Sequence, residues 1–238
     1  MSGRIPLLGP GEDFPPTDRA LRDPNGLLAA GGELSPARLL DAYRRGIFPW
    51  YEAPQPVLWW SPDPRTVLFP AELHISRSLR KRLRQDRLAL AVDTRFNQVM
   101  RACAEPRRDS LGTWIGKDML RAYTALHYRG VAHSVEVLGP GDELLGGLYG
   151  IALGKVFFGE SMFSRCTDAS KVAMVGLVAI LRRGGFHFID CQVGNPHLHS
   201  LGARELDRLD FEARLAQNIN SETDPGIWSL PGTCGGLA

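Results

Sequence analysis

The stretch Val172-Ala173-Met174-Val175-Gly176-Leu177-Val178-Ala179-Ile180-Leu181 is apolar almost all round. Gly184-Gly185 stops it, and a second apolar run follows at Phe186–Ile189. A helix without a polar face must be covered on all sides, and a sheet is the surface that can do this in a water-soluble chain. Three strand-like runs precede it, Ala132–Leu138, Leu144–Ala152 and Lys155–Met162, separated by the turn residues Pro140-Gly141-Asp142 and Gly154-Lys155. They predict an antiparallel meander. Asp168 is the expected cap of the apolar helix, and Phe186–Val193 is the strand expected after it.

Upstream, the pattern alternates. Thr66–Phe69 and Leu88–Val92 read as strands, and Ser76–Arg84, Thr94–Ala104 and Lys117–Tyr128 as helices. Gly130 ends the last of these, which carries Met119, Tyr123 and Leu126 on one face. Asp207–Asn218 reads as a terminal amphipathic helix. The first 60 or so residues differ, being dense in Pro, Gly and Trp. Within them Ser35–Gly46 predicts one helix, with Ser35 as cap, Pro36 in the first turn and Gly46 as stop. The sum is an α+β fold: a mixed central sheet flanked by helices, with a small α+β module before it. The boundary is expected between 1–63 and 64–238.

At 238 residues the chain is long enough to bury a sizeable core. A net charge of +2 gives no whole-protein field that demands nucleic acid. No apolar run approaches a membrane span, and the first residues lack a signal-peptide core, so a cytoplasmic protein that does not engage membranes is expected. Cys103, Cys166, Cys191 and Cys234 are scattered and form no CxxC pair. They read as reduced thiols.

Chemistry is concentrated in two stretches, Gly159-Glu160-Ser161-Met162-Phe163-Ser164-Arg165 and Ile189-Asp190-Cys191-Gln192. Both are read at the ends of strands. Asp190 and Gln192 are two apart, so a continuing strand would point both to one face. Singly, each of Glu160, Asp190 and Gln192 is an ordinary strand-end hydrogen-bonding residue. Together they suit a cation or an amine, with Asp190 able to orient the Gln192 amide. The familiar nucleophile elbow, P-loop and dinucleotide fingerprint are missing. His197 and His199 are a weak pair for a metal, so no metal is expected. What remains open to such a site is transfer of an already activated group to an amine, a reaction carried by positioning and electrostatics.

The segment Arg77–Arg87 places Leu79 and Leu83 four apart, with Arg77, Arg80, Lys81, Arg82, Arg84 and Arg87 around them. A solvated helix face and a phosphate-binding surface both account for it, and Arg107-Arg108 extends the second. Trp50, Trp59, Trp60 and Trp114 read mostly as packing. Trp50 and Trp114 stand in turn-like contexts from which an indole can stack on a base.

Several separated stretches together resemble the leucyl/phenylalanyl-tRNA–protein transferases of bacteria. They are Pro24–Gly32, Arg45–Trp50, Trp59–Arg65, Gly112–Ile115, Gly159–Arg165 and Ile189–Gln192. The resemblance implies a small N-terminal domain on a GNAT-like acyltransferase domain. It implies transfer of Leu or Phe from aminoacyl-tRNA to the α-amino group of proteins beginning with Arg or Lys, an entry to the N-degron pathway, with no cofactor and a monomer expected. By the same resemblance Asp190 polarises Gln192, Gln192 engages the attacking amine, and Glu160 lies near the reacting ester. Trp50 and Trp114 flank the terminal adenosine. Phe157, with Leu148, Leu177 and Leu181, lines the donor side-chain pocket, and Ser164 is counted among the substrate-binding residues. Arg77, Arg80, Lys81 and Arg84 belong to a tRNA-binding helix. Two rivals are a coenzyme A-dependent acetyltransferase and a non-catalytic RNA-binding protein. The first would want a glycine-rich turn where Ser164–Ser170 has none. The second gives Glu160, Asp190 and Gln192 nothing to do.

Overall fold

A computed structural model describes residues 4–85, 87–105, 115–230 and 234–237. Trp114 and Arg107-Arg108 lie outside them. In chain order the strands and helices are β1 (Leu7–Leu8), β2 (Leu27–Gly31), α1 (Pro36–Arg44), β3 (Phe48–Pro49), β4 (Leu58–Trp60) and β5 (Arg65–Leu68). Next come α2 (Arg77–Arg84), β6 (Ala89–Val92), α3 (Phe96–Ala104), α4 (Lys117–Tyr128), β7 (Ala132–Leu138), β8 (Leu144–Leu153) and β9 (Val156–Ser164). The last are α5 (Ala169–Arg183), β10 (Phe188–Gln192), α6 (Pro196–Ser200), β11 (Arg204–Leu206) and α7 (Arg208–Asn218).

Among the described residues the strands form two sheets. The smaller runs β1-β2-β4-β3 and the larger β11-β5-β10-β9-β8-β7-β6. The expected meander is present, with β7, β8 and β9 antiparallel. β10 then lies parallel to β9. A parallel neighbour needs a crossover, and α5 supplies it. Eleven of its fifteen residues are buried, which is why it tolerates so little polarity.

Helices cover both faces of the larger sheet. Val135, Val137, Leu148, Phe157 and Ile189 pack with α5 in one hydrophobic cluster. Tyr149, Ile151 and Phe158 pack with α3 and α4 in another, and that cluster continues into Leu28, Tyr43 and Trp59 of the N-terminal segment. Alternate residues of β7–β9 thus serve opposite cores, and the sequence of these strands reads as a continuous apolar run.

Local chemistry fixes several boundaries as expected. Ser35 caps α1 by accepting from Arg38 N, and Ser76 caps α2 by accepting from Leu79 N. Asp168 does not cap α5. It stands at the cap position with φ +63°, in the left-handed region, and its side chain makes no capping bond. Ser164 Oγ accepts from Ser170 N instead. The strands of the N-terminal segment are short and rich in Pro and Trp, so periodicity does not reveal them. Trp59 and Trp60 are held by indole N–H bonds to Gly31 O and Trp50 O. No helix among the described residues is long and apolar enough to cross a membrane.

Candidate active site

β9 and β10 pair in register at Phe157↔Ile189 and Phe158↔Asp190. Just beyond, both strands are irregular. On β9 the partners of β8 step from Gly159 to Ser161, so Glu160 is an extra residue in a bulge. On β10 the partners of β5 step from Asp190 to Gln192, so Cys191 is extra there. Bulges re-aim side chains, and two of them side by side open a cleft of about 900 Å³. The expected strand ends are therefore bulges, and β9 runs on to Ser164.

Asp190 and Gln192 do not share a face. Asp190 is fully buried behind the cleft, while Gln192 lines it. The second bulge is the reason. Gln192 has φ +56°, and Val193 N bonds back to Cys191 O at 2.7 Å, closing a tight turn around it. Asp190 Oδ1 accepts the Gln192 main-chain N–H at 3.0 Å. The aspartate thus holds the backbone of Gln192, in a conformation that costs a non-glycine residue energy, and not its side-chain amide. Gln192 Nε2 is buried and has no partner among the described residues.

The other partner of Asp190 is Arg65 on β5. The pair is bidentate, Nε to Oδ1 at 2.8 Å and Nη2 to Oδ2 at 2.6 Å. Arg65 Nη1 also donates to Gly46 O at 3.0 Å. The rings of Phe48 and Phe211 lie 4.9 and 4.5 Å from the guanidinium carbon. A buried ion pair is tolerable only when its remaining hydrogen-bonding capacity is met in this way.

Among the described residues no cation is in contact with Glu160. Tyr43 of α1 donates to its Oε1 at 2.6 Å and Tyr123 of α4 to its Oε2 at 2.9 Å, and the two hydroxyls also touch each other. Burial pushes the Glu160 carboxyl up to about 7; the two hydroxyls pull the other way, Asp190 adds to the rise and Arg65 opposes it. The geometry agrees. With the carboxyl protonated, its hydrogen goes to one hydroxyl, that hydroxyl turns to donate to the other, and the second still donates to the remaining carboxyl oxygen, so all three contacts carry a hydrogen. Burial, and then the Glu160 charge, hold Tyr43 and Tyr123 well above the ordinary phenol range.

Part of the cleft wall is apolar. Phe157, Leu148 and Leu177 line it, together with Met174, Tyr149 and Ile189. Leu181 is fully buried but does not line it, because it stands further along α5. Gly150 of β8 leaves space for Phe157; a Cβ there would lie 2.5 Å from the ring. Trp50 stands at the rim, 46% exposed, and Ser164 also belongs to the lining. Burial pushes the Cys191 thiol, also in the lining, well up.

On α2, Leu79 and Leu83 are buried and Arg77, Arg80, Lys81 and Arg84 exposed. Arg82 turns inward, with Nη2 3.9 Å from Cys166 Sγ in the β9–α5 turn. That contact sets the basic helix beside the turn that bounds the cleft. His197 lines the cleft, whereas His199 bonds Ala203 O. Among the described residues no group of three or more His, Cys, Asp or Glu is arranged to hold a metal ion.

Arg65, Tyr43 and Tyr123 were not singled out as site residues in the sequence. Tyr43 and Tyr123 carry a usable signal, a hydroxyl on the buried face of an amphipathic helix, which must find a partner.

Residues 67–216 match the leucyl/phenylalanyl-tRNA protein transferase family, and residues 32–63 match the N-terminal domain of the same family. Proteins named leucyl/phenylalanyl-tRNA–protein transferase are similar over most of their length. That of Aromatoleum aromaticum is 61% identical over 225 residues, 94% of each chain. That of Nitrosospira multiformis is 59% identical, over 91% of this chain and 93% of the relative. That of Pseudomonas putida is 61% identical, over 87% and 91%. Among solved structures, L-PGS from Bacillus licheniformis is similar with a TM-score of 0.39 at 10% identity, over 71% of this chain and 53% of that one. A likeness that slight carries no argument. The matches across both parts of the chain decide the matter: this protein belongs to the leucyl/phenylalanyl-tRNA–protein transferase family.

Proposed function

We propose that this chain moves Leu or Phe from aminoacyl-tRNA to the α-amino group of proteins that begin with Arg or Lys. The observation that carries the reading is one cleft, apolar along part of its wall, with a carboxyl, Glu160, that titrates near 7 and a buried amide nitrogen, Gln192 Nε2, without a partner among the described residues, at adjacent bulges. A buried donor without a partner is rare in a finished structure, and a substrate group completes it.

In the proposed reaction the amine lone pair attacks the ester carbonyl carbon. The C–N bond forms, the ester C–O bond breaks, and the proton lost by nitrogen goes to the departing ribose oxygen. An aminoacyl ester is already activated, so no protein nucleophile is needed. Gln192 positions the amine and Asp190, through the main chain, positions Gln192. Glu160 faces the acceptor and, when ionised, favours its cationic side chain. Phe157, Leu148 and Leu177 receive the donor side chain, Leu181 supports that wall from within α5, and Ser164 is a further substrate-binding residue of the lining. Trp50, with Trp114, takes the terminal adenosine. Arg77, Arg80, Lys81 and Arg84 take the tRNA backbone.

The reading includes a division into a small unit, 1–63, and a GNAT-like acyltransferase unit, 64–238. It is supported by the break between the two sheets at Trp60 and Arg65. It also includes a monomer acting in the cytoplasm.

The test is transfer of labelled Leu from Leu-tRNA to a peptide with N-terminal Arg. Labelled peptide is expected, and none with an N-terminal Glu peptide. Failure with both peptides, or acetyl transfer from acetyl-CoA in its place, sinks the proposal. The double variant Arg80→Ala, Arg84→Ala should weaken tRNA binding and reduce its salt slope by about 1 to 2, since each phosphate contact contributes about one unit or slightly less.

A further inference from the structure

The last residues of the chain lie beyond 67–216, the part that matches the family, and the site described above does not use them. They are nevertheless tied down. Thr223 Oγ1 donates to Gly154 O at the β8–β9 turn. Arg183, in the last turn of α5, donates to both Ile227 O and Ser229 O. Ile227 fills the space over Gly184, where a Cβ would lie 2.6 Å from its Cδ1, and Leu230 reaches Gly176 in the middle of α5. Cys234 is fully buried, with its thiol donating to Leu83 O at the end of α2.

Between these anchors Trp228 turns inward. Its ring stacks on His133 with centroids 3.6 Å apart and planes 9° apart. It also lies 6.1 Å from Phe157 and 6.3 Å from Phe186. His133 is a fixed platform, because both its ring nitrogens face acceptors, Asp93 Oδ2 at 2.7 Å and Gly130 O at 3.1 Å. Phe157 is therefore confined. Gly150 lies against its ring, the ring lines the cleft, and it meets the Trp228 ring, which is not part of the cleft lining, at 6.1 Å.

We propose that Trp228 is a specificity-determining positioning residue, which blocks retreat of Phe157 and so sets how deep a donor side chain can enter. The proposal rests on the reading of Phe157 as a wall of the donor pocket. Packed interiors leave no slack, so a wall is only as firm as what stands behind it. With the indole removed, the Phe157 ring can rotate into the vacated volume and the pocket lengthens. Apolar pockets select by volume, with each methylene worth about 1–3 kcal/mol or 10- to 200-fold. A longer pocket fits phenylalanine better and leucine worse.

The experiment compares kcat/KM for Phe-tRNA and Leu-tRNA on the full chain, with the same N-terminal Arg peptide. In Trp228→Ala the Phe/Leu ratio should rise roughly tenfold, at the low end of that range. In Trp228→Phe, which keeps a ring over His133 and is the variant expected to fold without difficulty, the ratio should rise about threefold. A ratio within twofold of the wild type in Trp228→Phe and in any soluble Trp228→Ala, or a shift toward Leu, overturns the proposal whatever happens to the absolute rates. Loss of stability alone would depress both donors equally. Phe157→Leu is the control for the underlying reading. If Phe157→Leu changes the ratio and the Trp228 variants do not, only the role of Trp228 falls. If Phe157→Leu leaves the ratio unchanged, the donor-pocket assignment falls with it.

Discussion

Glu160 and Asp190 stand on neighbouring parallel strands, one within a bulge and the other beside one, and their surroundings could hardly differ more. Asp190 is fully buried and grips a guanidinium with both oxygens. Glu160 is half-buried, faces the cleft and, among the described residues, is bonded only by hydroxyls. An arginine never surrenders its charge, so the partner of Asp190 is permanent and its geometry is locked. A pair of phenols can donate to a carboxylate or share hydrogens with a carboxylic acid, so the surroundings of Glu160 suit both forms. The carboxylate that looks chemically most potent by charge is the scaffold. The one bonded by hydroxyls is free to change state in the cleft.

The largest test of this contrast is Arg65→Met. It strands Asp190 as an unpaired buried charge, which costs roughly 3–5 kcal/mol. An unfolding free energy from urea titration lowered by that amount is expected, with the double variant Arg65→Met, Asp190→Leu recovering part of it, because no buried charge is then left unpaired, although Gln192 N–H and Gly46 O lose their bonds. A loss below about 1 kcal/mol in the single variant would show that Asp190 is no scaffold.

The same contrast explains what the sequence revealed. The bounds of α1, α4 and β7 followed from caps, periodicity and glycine stops, all local signals. The two chemical stretches were visible for the same reason, since each is a short run of unusual residues. Their partners were not. Arg65 lies 125 residues from Asp190, and Tyr43 lies 117 from Glu160. Nothing within a strand announces which distant side chain will meet it. The bulges were hidden too, because an extra residue is extra only relative to a neighbouring strand. That is why Asp190 and Gln192 were expected on one face and stand on two. Asp168 shows the limit of a composition rule: the residue type suits a cap, but its backbone is left-handed.

Glu160→Gln is the intermediate test, and it should separate activity from stability. Turnover is expected to fall about 100-fold, the scale for losing one electrostatic contact in a cleft. Stability should move with pH in a defined direction. The folded carboxyl titrates near 7 against 4.5 when free, so the fold holds its proton more tightly than the unfolded chain does. By linkage this contribution is fully present below about 4.5 and is lost as the pH rises through about 7. Relative to the wild type, Glu160→Gln should therefore gain stability between those values. Thermal unfolding across that range checks it. A variant that loses stability toward pH 8 would mean that the ionised form is the one the fold prefers.

The smallest effect is expected from Tyr43→Phe and Tyr123→Phe. Each hydroxyl favours the ionised carboxyl, so each removal should move the Glu160 titration upward. A hydrogen bond to a charged group is worth about 1.5–3 kcal/mol, but the remaining tyrosine compensates in part, so the displacement should be under about one pH unit per variant. The rate profile with an N-terminal Arg peptide reads it. If activity requires ionised Glu160, the acidic limb near pH 7 moves up in both phenylalanine variants and vanishes in Glu160→Gln. The limb set by the acceptor's own α-amino group, ordinarily near 7.7–8.0, stays in place in all of them. A limb that does not respond to either tyrosine would detach the titrating group from the Glu160–Tyr43–Tyr123 cluster. Glu160 would then be as fixed as Asp190, and the difference between the two carboxylates would be one of burial alone.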